Sequence, residues 1–200
     1  MKKRSKSPIK IWRMRRNDDG SMTMEFALVA PVLFLAVVGL IEISLVLFAN
    51  TLIEGGVREA SRFGITGATP ATGTREDRIV EIINDNGMGL VTVTTADVTT
   101  LVYPNFDSVD QAEPFTDQNG NSDYDAGEPF TDINCNGQWD QDQGRSGAGV
   151  GGEVVQYTVS YDWSLLTGML SDALAGALSL PLTVSVAVRN EPFGGVAPSC

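Results

Sequence analysis

From Phe26 to Phe48 the chain reads FALVAPVLFLAVVGLIEISLVLF, 23 residues with a single ionisable side chain, Glu42. As a helix this run is about 35 Å long at 1.5 Å per residue. The hydrocarbon layer of a bilayer is about 30 Å thick, so the run predicts a membrane-crossing helix rather than the core helix of a soluble domain. The charge around it gives a direction. Eight of the fourteen Lys and Arg residues lie in the first sixteen positions, and no lysine follows Lys10. Basic flanks stay in the cytoplasm, which places the residues after Asn50 on the outer side. A secretory signal fits poorly, since its apolar part spans about 7–15 residues and ends at a small-residue cleavage site. The 180 residues after Gly20 carry six arginines against 23 acids. That balance excludes a general nucleic-acid binder, which needs distributed bases for phosphates. The absence of histidine excludes histidine-based triads, histidine general bases and zinc sites with histidine ligands.

Beyond Asn50 the helical pattern continues as an amphipathic stretch. Arg58 stands four residues after Glu54 and Arg62 three after Glu59, spacings that allow side-chain pairing. Gly55-Gly56 weakens this helix and suits close packing or a bend. Pro31 removes one helical hydrogen bond and is expected to kink the helix or end its first turn. Two carboxylates in or beside the apolar run need a reason, because an unpaired charge at membrane depth costs a few kcal/mol. Glu25 lies at the cytoplasmic edge, five residues after Gly20, behind a basic leader. Cleavage after Gly20 would free the amino group of Ser21, a cation that Glu25 neutralises when such helices pack side by side. This arrangement resembles that of a type IV prepilin.

Three segments carry a more specific likeness. Gly20-Ser21-x-x-x-Glu25-Phe26-Ala27-Leu28-x-x-Pro31, then Gly39-Leu40-Ile41-Glu42, then Arg58-Glu59-Ala60-Ser61-Arg62-Phe63-Gly64 resemble the TadE-like pseudopilins of the tight-adherence (Tad, Flp) pilus systems. The stretch from Val154 to Pro192 is similar to that family's closing segment, a strand, a Leu/Gly-rich stretch and a strand ending in an Arg-Asn-Glu-like tail. The likeness covers about residues 13–64 and 153–192. It implies processing by a prepilin peptidase after Gly20, and a minor pilin acting in pilus assembly or adhesion alongside other pilins and the assembly machinery. The family's internal glutamate is matched by Glu42.

The exported part predicts a small α+β domain. Thr74 caps a short helix with Asp77 three residues on, and Asn86-Gly87 stops it. Leu90 to Tyr103 reads as one or two strands, Gln156 to Trp163 as a strand, and Leu182 to Arg189 as a half-buried strand. Leu165 to Leu178 reads as a short helix or an apolar loop. The expected organisation is a basic leader over 1–20, a transmembrane and amphipathic helix over 21–66, exported segments over 67–106 and 146–200, and an acidic insertion over 107–145.

That insertion repeats at a period of fifteen: EPFTDQNGNSDYDAG over 113–127 and EPFTDINCNGQWDQD over 128–142. From Asp107 to Asp142 there are ten acids and no base, a run that repels itself unless cations neutralise it. Calcium takes six to eight oxygens from alternate residues, a carbonyl and a distal acid. In the first unit Asp117, Asn119, Asn121, the carbonyl of Asp123, Asp125 and Glu128 fit that spacing. In the second the set is Asp132, Asn134, Asn136, the carbonyl of Gln138 and Asp140. Its distal place falls on Gln143, beside Asp142, which predicts a weaker site or a borrowed ligand. Gly137 suits the sharp-turn position, where the first unit has Ser122. Oxygen-only donors argue against zinc and copper. Pro114 and Pro129 break any flanking helix, so the loops look like dockerin-like or thrombospondin-type calcium repeats. Phe115, Tyr124, Phe130 and Trp139 are expected to pack as their small core once metal is bound. Cys135 and Cys200 suit a disulfide in an oxidising exterior.

The expected protein is thus a non-enzymatic minor pilin of a bacterial inner membrane, single-pass with its amino terminus cytoplasmic, calcium-stabilised outside and carried in part into a filament. Two rivals are an uncleaved membrane-anchored pilus assembly protein and a membrane-tethered hydrolase using carboxylates such as Asp123 and Asp125.

Overall fold

The computed structural model describes residues 19–68, 70–165 and 179–195, with side chains from Met22 onward. It divides into two compact units after Ile41. Helix α1 runs over Asp19–Ile65 without a break, with Pro31 inside it. The expected end at Pro31 does not occur: a proline forfeits one backbone bond, and the helix carries on through both neighbouring turns. In the first unit the side chains are exposed nearly all round; among the described residues up to Ile41 Ala30 alone is buried. Met22, Phe26, Leu28, Leu33, Phe34 and Leu40 all lie open. Each such side chain left in water forgoes about 1.5–3 kcal/mol, and a continuous surface of this kind marks a membrane or protein-packing face.

In the second unit α1 has a different surface. Glu42, Ala49, Ile53, Gly56, Val57, Ala60, Ser61 and Gly64 are buried at helical spacing, the stripe expected of a helix covering a core. Arg58 and Glu54 pair at 2.5 Å and Arg62 and Glu59 at 3.8 Å on the opposite, exposed side. Pairs so exposed contribute a few tenths of a kcal/mol. Helix α2, Arg75–Asn86, opens on a full capping box: Thr74 Oγ1 accepts from the Asp77 N–H and Asp77 Oδ2 from the Thr74 N–H. Its Ile79 and Ile83 enter the core. Of the glycine pair, Gly56 is the close contact, because a Cβ there would stand 3.0 Å from the Ile83 Cα; at Gly55 it would meet nothing. Gly87 ends α2 with φ −67°, so left-handed freedom is not its role. A Cβ at Gly87 would lie 2.5 Å from the Val91 carbonyl oxygen, and it is this contact that demands glycine.

The sheet has four antiparallel strands in the order β2-β1-β3-β4: β1 Val98–Tyr103, β2 Arg145–Ser146, β3 Val154–Ser164 and β4 Ser179–Arg189. β3 and β4 pair over their full length, with Tyr157 opposite Val186 and Val159 opposite Val184 on the core side, and Thr158 opposite Ser185 on the other. This alternation is what the sequence predicts. The extended start at Leu90 is not a strand, although Val91 and Val93 are buried in the core. The reason is Asn84, whose amide donates to the Val93 carbonyl (2.9 Å) and accepts from its N–H (2.8 Å). A side chain thus replaces the neighbouring strand for this segment. The stretch expected over Leu165 to Leu178 lies, apart from Leu165, outside the described residues.

The closing residues are tied to the end of α1. The Gly64 carbonyl accepts from the Arg75 guanidinium, and the Ile65 carbonyl from the Glu191 N–H at 3.0 Å. These satisfy carbonyls that a helix end otherwise leaves open. Asn190 donates through Nδ2 to the Ala148 and Val150 carbonyls, both at 3.1 Å. Phe193 lies against Gly67, where a Cβ would meet its ring at 2.6 Å.

Candidate functional site

Two regions carry the chemistry. The first is the start of α1. Gly20 and Ser21 lie in its first turn, and Glu25 is exposed one turn on. Glu42 is different in kind, being 2% exposed. The helix from Met22 to Ile65 is long and apolar enough to cross a membrane.

The second region is the acidic repeat, inserted between the paired strands β1 and β2. Its ends meet where the Gln143 N–H donates to the Gln111 carbonyl at 2.9 Å, and where Glu113 N–H donates to the Asp140 carbonyl at 3.0 Å. The Tyr103 hydroxyl fastens it to the sheet, facing Asp142 Oδ2 at 3.0 Å and Gln156 Oε1 at 3.1 Å. Burial, with the Asp142 carboxylate beside it, raises the Tyr103 pKa, so the phenol stays protonated and remains a donor.

The two loops are built alike. In the first, Asp117 Oδ1 accepts from the N–H of Gly120 (2.6 Å) and Oδ2 from that of Ser122 (2.8 Å). These backbone donors hold the Asp117 pKa below the ordinary carboxylate value, Ser122 first and then Gly120. In the second, Asp132 Oδ1 accepts from Cys135 (2.7 Å) and Oδ2 from Gly137 (2.8 Å). Asn119 and Asn121 both direct their amides at Asp125 Oδ2, at 2.5 and 2.9 Å; Asn134 and Asn136 meet Asp140 Oδ2 at 2.8 and 2.5 Å. Asp123 and Gln138, whose carbonyls the spacing nominates, are exposed and give their N–H groups to Asn121 Oδ1 and Asn136 Oδ1. Each loop has two left-handed residues, and in each one is a glycine: Gly120 (φ 79°) with Ser122 (φ 68°), and Cys135 (φ 65°) with Gly137 (φ 80°).

The closing acids depart from the linear spacing. Glu128 closes the first loop as expected, with Oε1 on the Gln118 N–H (2.8 Å) and Oε2 on the Asp125 N–H (3.0 Å). The equivalent positions of the second loop, the N–H groups of Ile133 (2.7 Å) and Asp140 (3.2 Å), bond to Glu113. Gln143 and Asp142 do not take that place, because both are engaged elsewhere: Gln143 Nε2 donates to the Ser108 carbonyl and Asp142 faces Tyr103. Glu113 precedes its loop by some twenty residues, so a pattern read forward along the chain misses it. Its alignment with Glu128 in the repeat was the available signal.

Phe115 meets Tyr124 and Trp139 edge-on at 5.7 and 5.9 Å, Tyr124 meets Phe130 at 5.9 Å, and Tyr124 stacks on Trp139 at 4.5 Å. The four rings therefore pack against one another across the two units. Among the described residues no three Asp, Glu or Cys side chains come together as a group that could hold a metal ion; what converges in each loop is one aspartate with two asparagines. Cys200 lies outside the described residues.

Comparison with known proteins bears on the first region. No curated protein and no solved structure matches the chain. Residues 20–62, from the glycine at the head of α1 to the arginine near its end, match the family model described as TadE-like protein.

Proposed function

We propose that the chain is a minor pilin of a Tad/Flp pilus, acting in pilus assembly and surface adhesion with a calcium-stabilised exported domain. One observation carries the reading. The TadE-like match begins at Gly20 and runs along a helix whose first part exposes apolar side chains on nearly every side. Such a helix is at home in lipid, and equally among sister helices in a filament. That pairing of environments is what a processed pilin needs. A prepilin peptidase would cut between Gly20 and Ser21, and Glu25 would compensate the new amino group. The TadE-like family is a pilus component and not an enzyme family, which speaks against the hydrolase.

Calcium enters through the donor set. Each loop offers carboxylate and amide oxygens with no histidine or thiol ligand, the chemistry suited to a hard cation. In the first loop Asp117, Asn119, Asn121, Asp125 and Glu128 would hold it, with the Asp123 carbonyl. In the second the holders would be Asp132, Asn134, Asn136, Asp140 and Glu113, with the Gln138 carbonyl. A half-turn of either converging amide presents oxygen where it now presents nitrogen. The cation would supply the positive charge that the region lacks, no base lying between Arg78 and Arg145. A disulfide from Cys135 to Cys200 belongs to the same reading, and peptide maps with and without reductant test it.

Protein recovered from membranes and from sheared filaments is expected to begin at Ser21, and Gly20→Val to keep its leader and stay out of filaments. A mature chain beginning at Met1 would sink the pilin reading in favour of a permanent anchor. For the cation, 10 mM calcium but not magnesium is expected to stabilise the full chain in detergent by about 1.5–3 kcal/mol per filled site, given affinities of about 10⁻⁴–10⁻³ M. An unmoved melting temperature would remove calcium from the reading.

A further inference from the structure

The two halves of the acidic repeat are joined through their opening arms. Thr116 N–H donates to the Pro129 carbonyl and Thr131 N–H to the Pro114 carbonyl, each at 2.8 Å, around an antiparallel bridge between Phe115 and Phe130. The segments crossing there, 113–116 and 128–131, are the equivalent arms of the two units. Each arm leads into its own loop, yet the first arm carries Glu113, which closes the second loop, and the second arm carries Glu128, which closes the first. The rings cross over too: Tyr124 of one loop stacks on Trp139 of the other, and Trp139 Nε1 donates to the Glu113 carbonyl at 2.8 Å. Glu113 is 1% and Glu128 8% exposed, while no residue of the loops they close, 117–125 and 132–140, is buried.

We infer that residues 111–143 form one interlocked unit in which Glu113 and Glu128 are the locks, so that the two loops gain and lose order together. Three of the four ring contacts join one unit to the other, and a region tied together in this way opens as one cooperative piece. Moving the first arm withdraws the lock from the second loop, parts the bridge, and removes Phe115 from both Tyr124 and Trp139. Loss of the second arm withdraws the other lock in the same event. Anything that orders one loop therefore orders both, by linkage through their shared arms. This inference does not depend on the calcium reading; if that reading holds, the two sites fill as a pair.

Hydrogen exchange followed by mass spectrometry tests it, on the full chain in detergent micelles with a chelator present. Peptides covering 117–125 and 132–140 are the readout, and peptides from β3 are the reference. Gly137→Ala is the gentle variant, because the added methyl meets no atom of the described residues within 4 Å and acts through φ 80°. Glu113→Gln is the strong one. Both are expected to speed exchange in the two loops alike, by about fivefold or more, with β3 unchanged. Faster exchange confined to 132–140 in Gly137→Ala overturns the inference, as does wild-type exchange in both loops of both variants. Where Glu113→Gln also loosens β3, Gly137→Ala decides. A parallel series in millimolar calcium reports separately on the cation: no slowing there sinks calcium and leaves the interlock standing.

Discussion

Tyr157 ends its side chain against the backbone of α1 at Gly64, where any Cβ would overlap the phenol. Its hydroxyl is buried with no hydrogen-bond partner among the described residues, and burial raises its pKa. Gly64→Ala is expected to destabilise the protein by about 1–3 kcal/mol through overpacking. Tyr157→Phe removes an unsatisfied polar group and is expected to be neutral or stabilising by up to about 1 kcal/mol; thermal melts of the two variants check both signs. Gly64 was visible in the sequence as part of a motif, but its purpose was not, since Tyr157 lies 93 positions away. Asp117 makes a prediction about pH. Its folded pKa lies below the ordinary value of 3.8, so the stabilisation it brings is complete above about pH 5. It is lost as pH falls through the lowered value. Exchange at the Gly120 and Ser122 amides is expected to hold steady, after correction for intrinsic rate, from pH 7 to about pH 5 and to lose protection below pH 4. Loss of protection already at pH 6 would contradict this.

The elements show where local pattern suffices. The β3 and β4 alternation and the α2 capping box are local rules, and each is met by the residues that suggest it. The stretch after Leu90 is the counterexample. Its Val and Thr content favours a strand, and its valines are buried as a strand's would be, yet Asn84 takes the backbone bonds of Val93. Asn84→Ala leaves both Val93 groups without that partner and is expected to cost about 2 kcal/mol. Chemical denaturation measures the cost; a loss under 0.5 kcal/mol would mean the segment finds another partner. Gly87 carries the same lesson. Its place after Asn86 signals a helix stop, but the crowding that requires it comes from Val91, one turn of chain further on.

At the scale of the molecule, the division after Ile41 separates two kinds of surface on one continuous helix. Every side chain of the buried apolar cluster lies at Ala49 or later, with Leu45 and Val46 packed against it. A chain beginning at Glu42 is therefore expected to melt as cooperatively as the full one, within a few degrees of the same midpoint, by circular dichroism in the same detergent. A midpoint lower by ten degrees or more would show that the first unit supports the second. The long insertion between β1 and β2 fits the same economy. Its two ends are held together by strand pairing and by the 111–143 contact, so about forty added residues cost the sheet little closure entropy.

Residues alone sufficed for the apolar helix, the alternating strands, the capped α2 and the internal repeat. All rest on short periodicities, and a period is a property of neighbours in the chain. Folding had to bring together what sequence distance keeps apart: Tyr157 under Gly64, Glu191 on the last turn of α1, and Glu113 on the loop that begins nineteen residues after it. These contacts depend on which arms cross and which strands pair. No local spacing encodes that choice, because the free energy that makes it comes from surfaces meeting only once the chain has closed on itself.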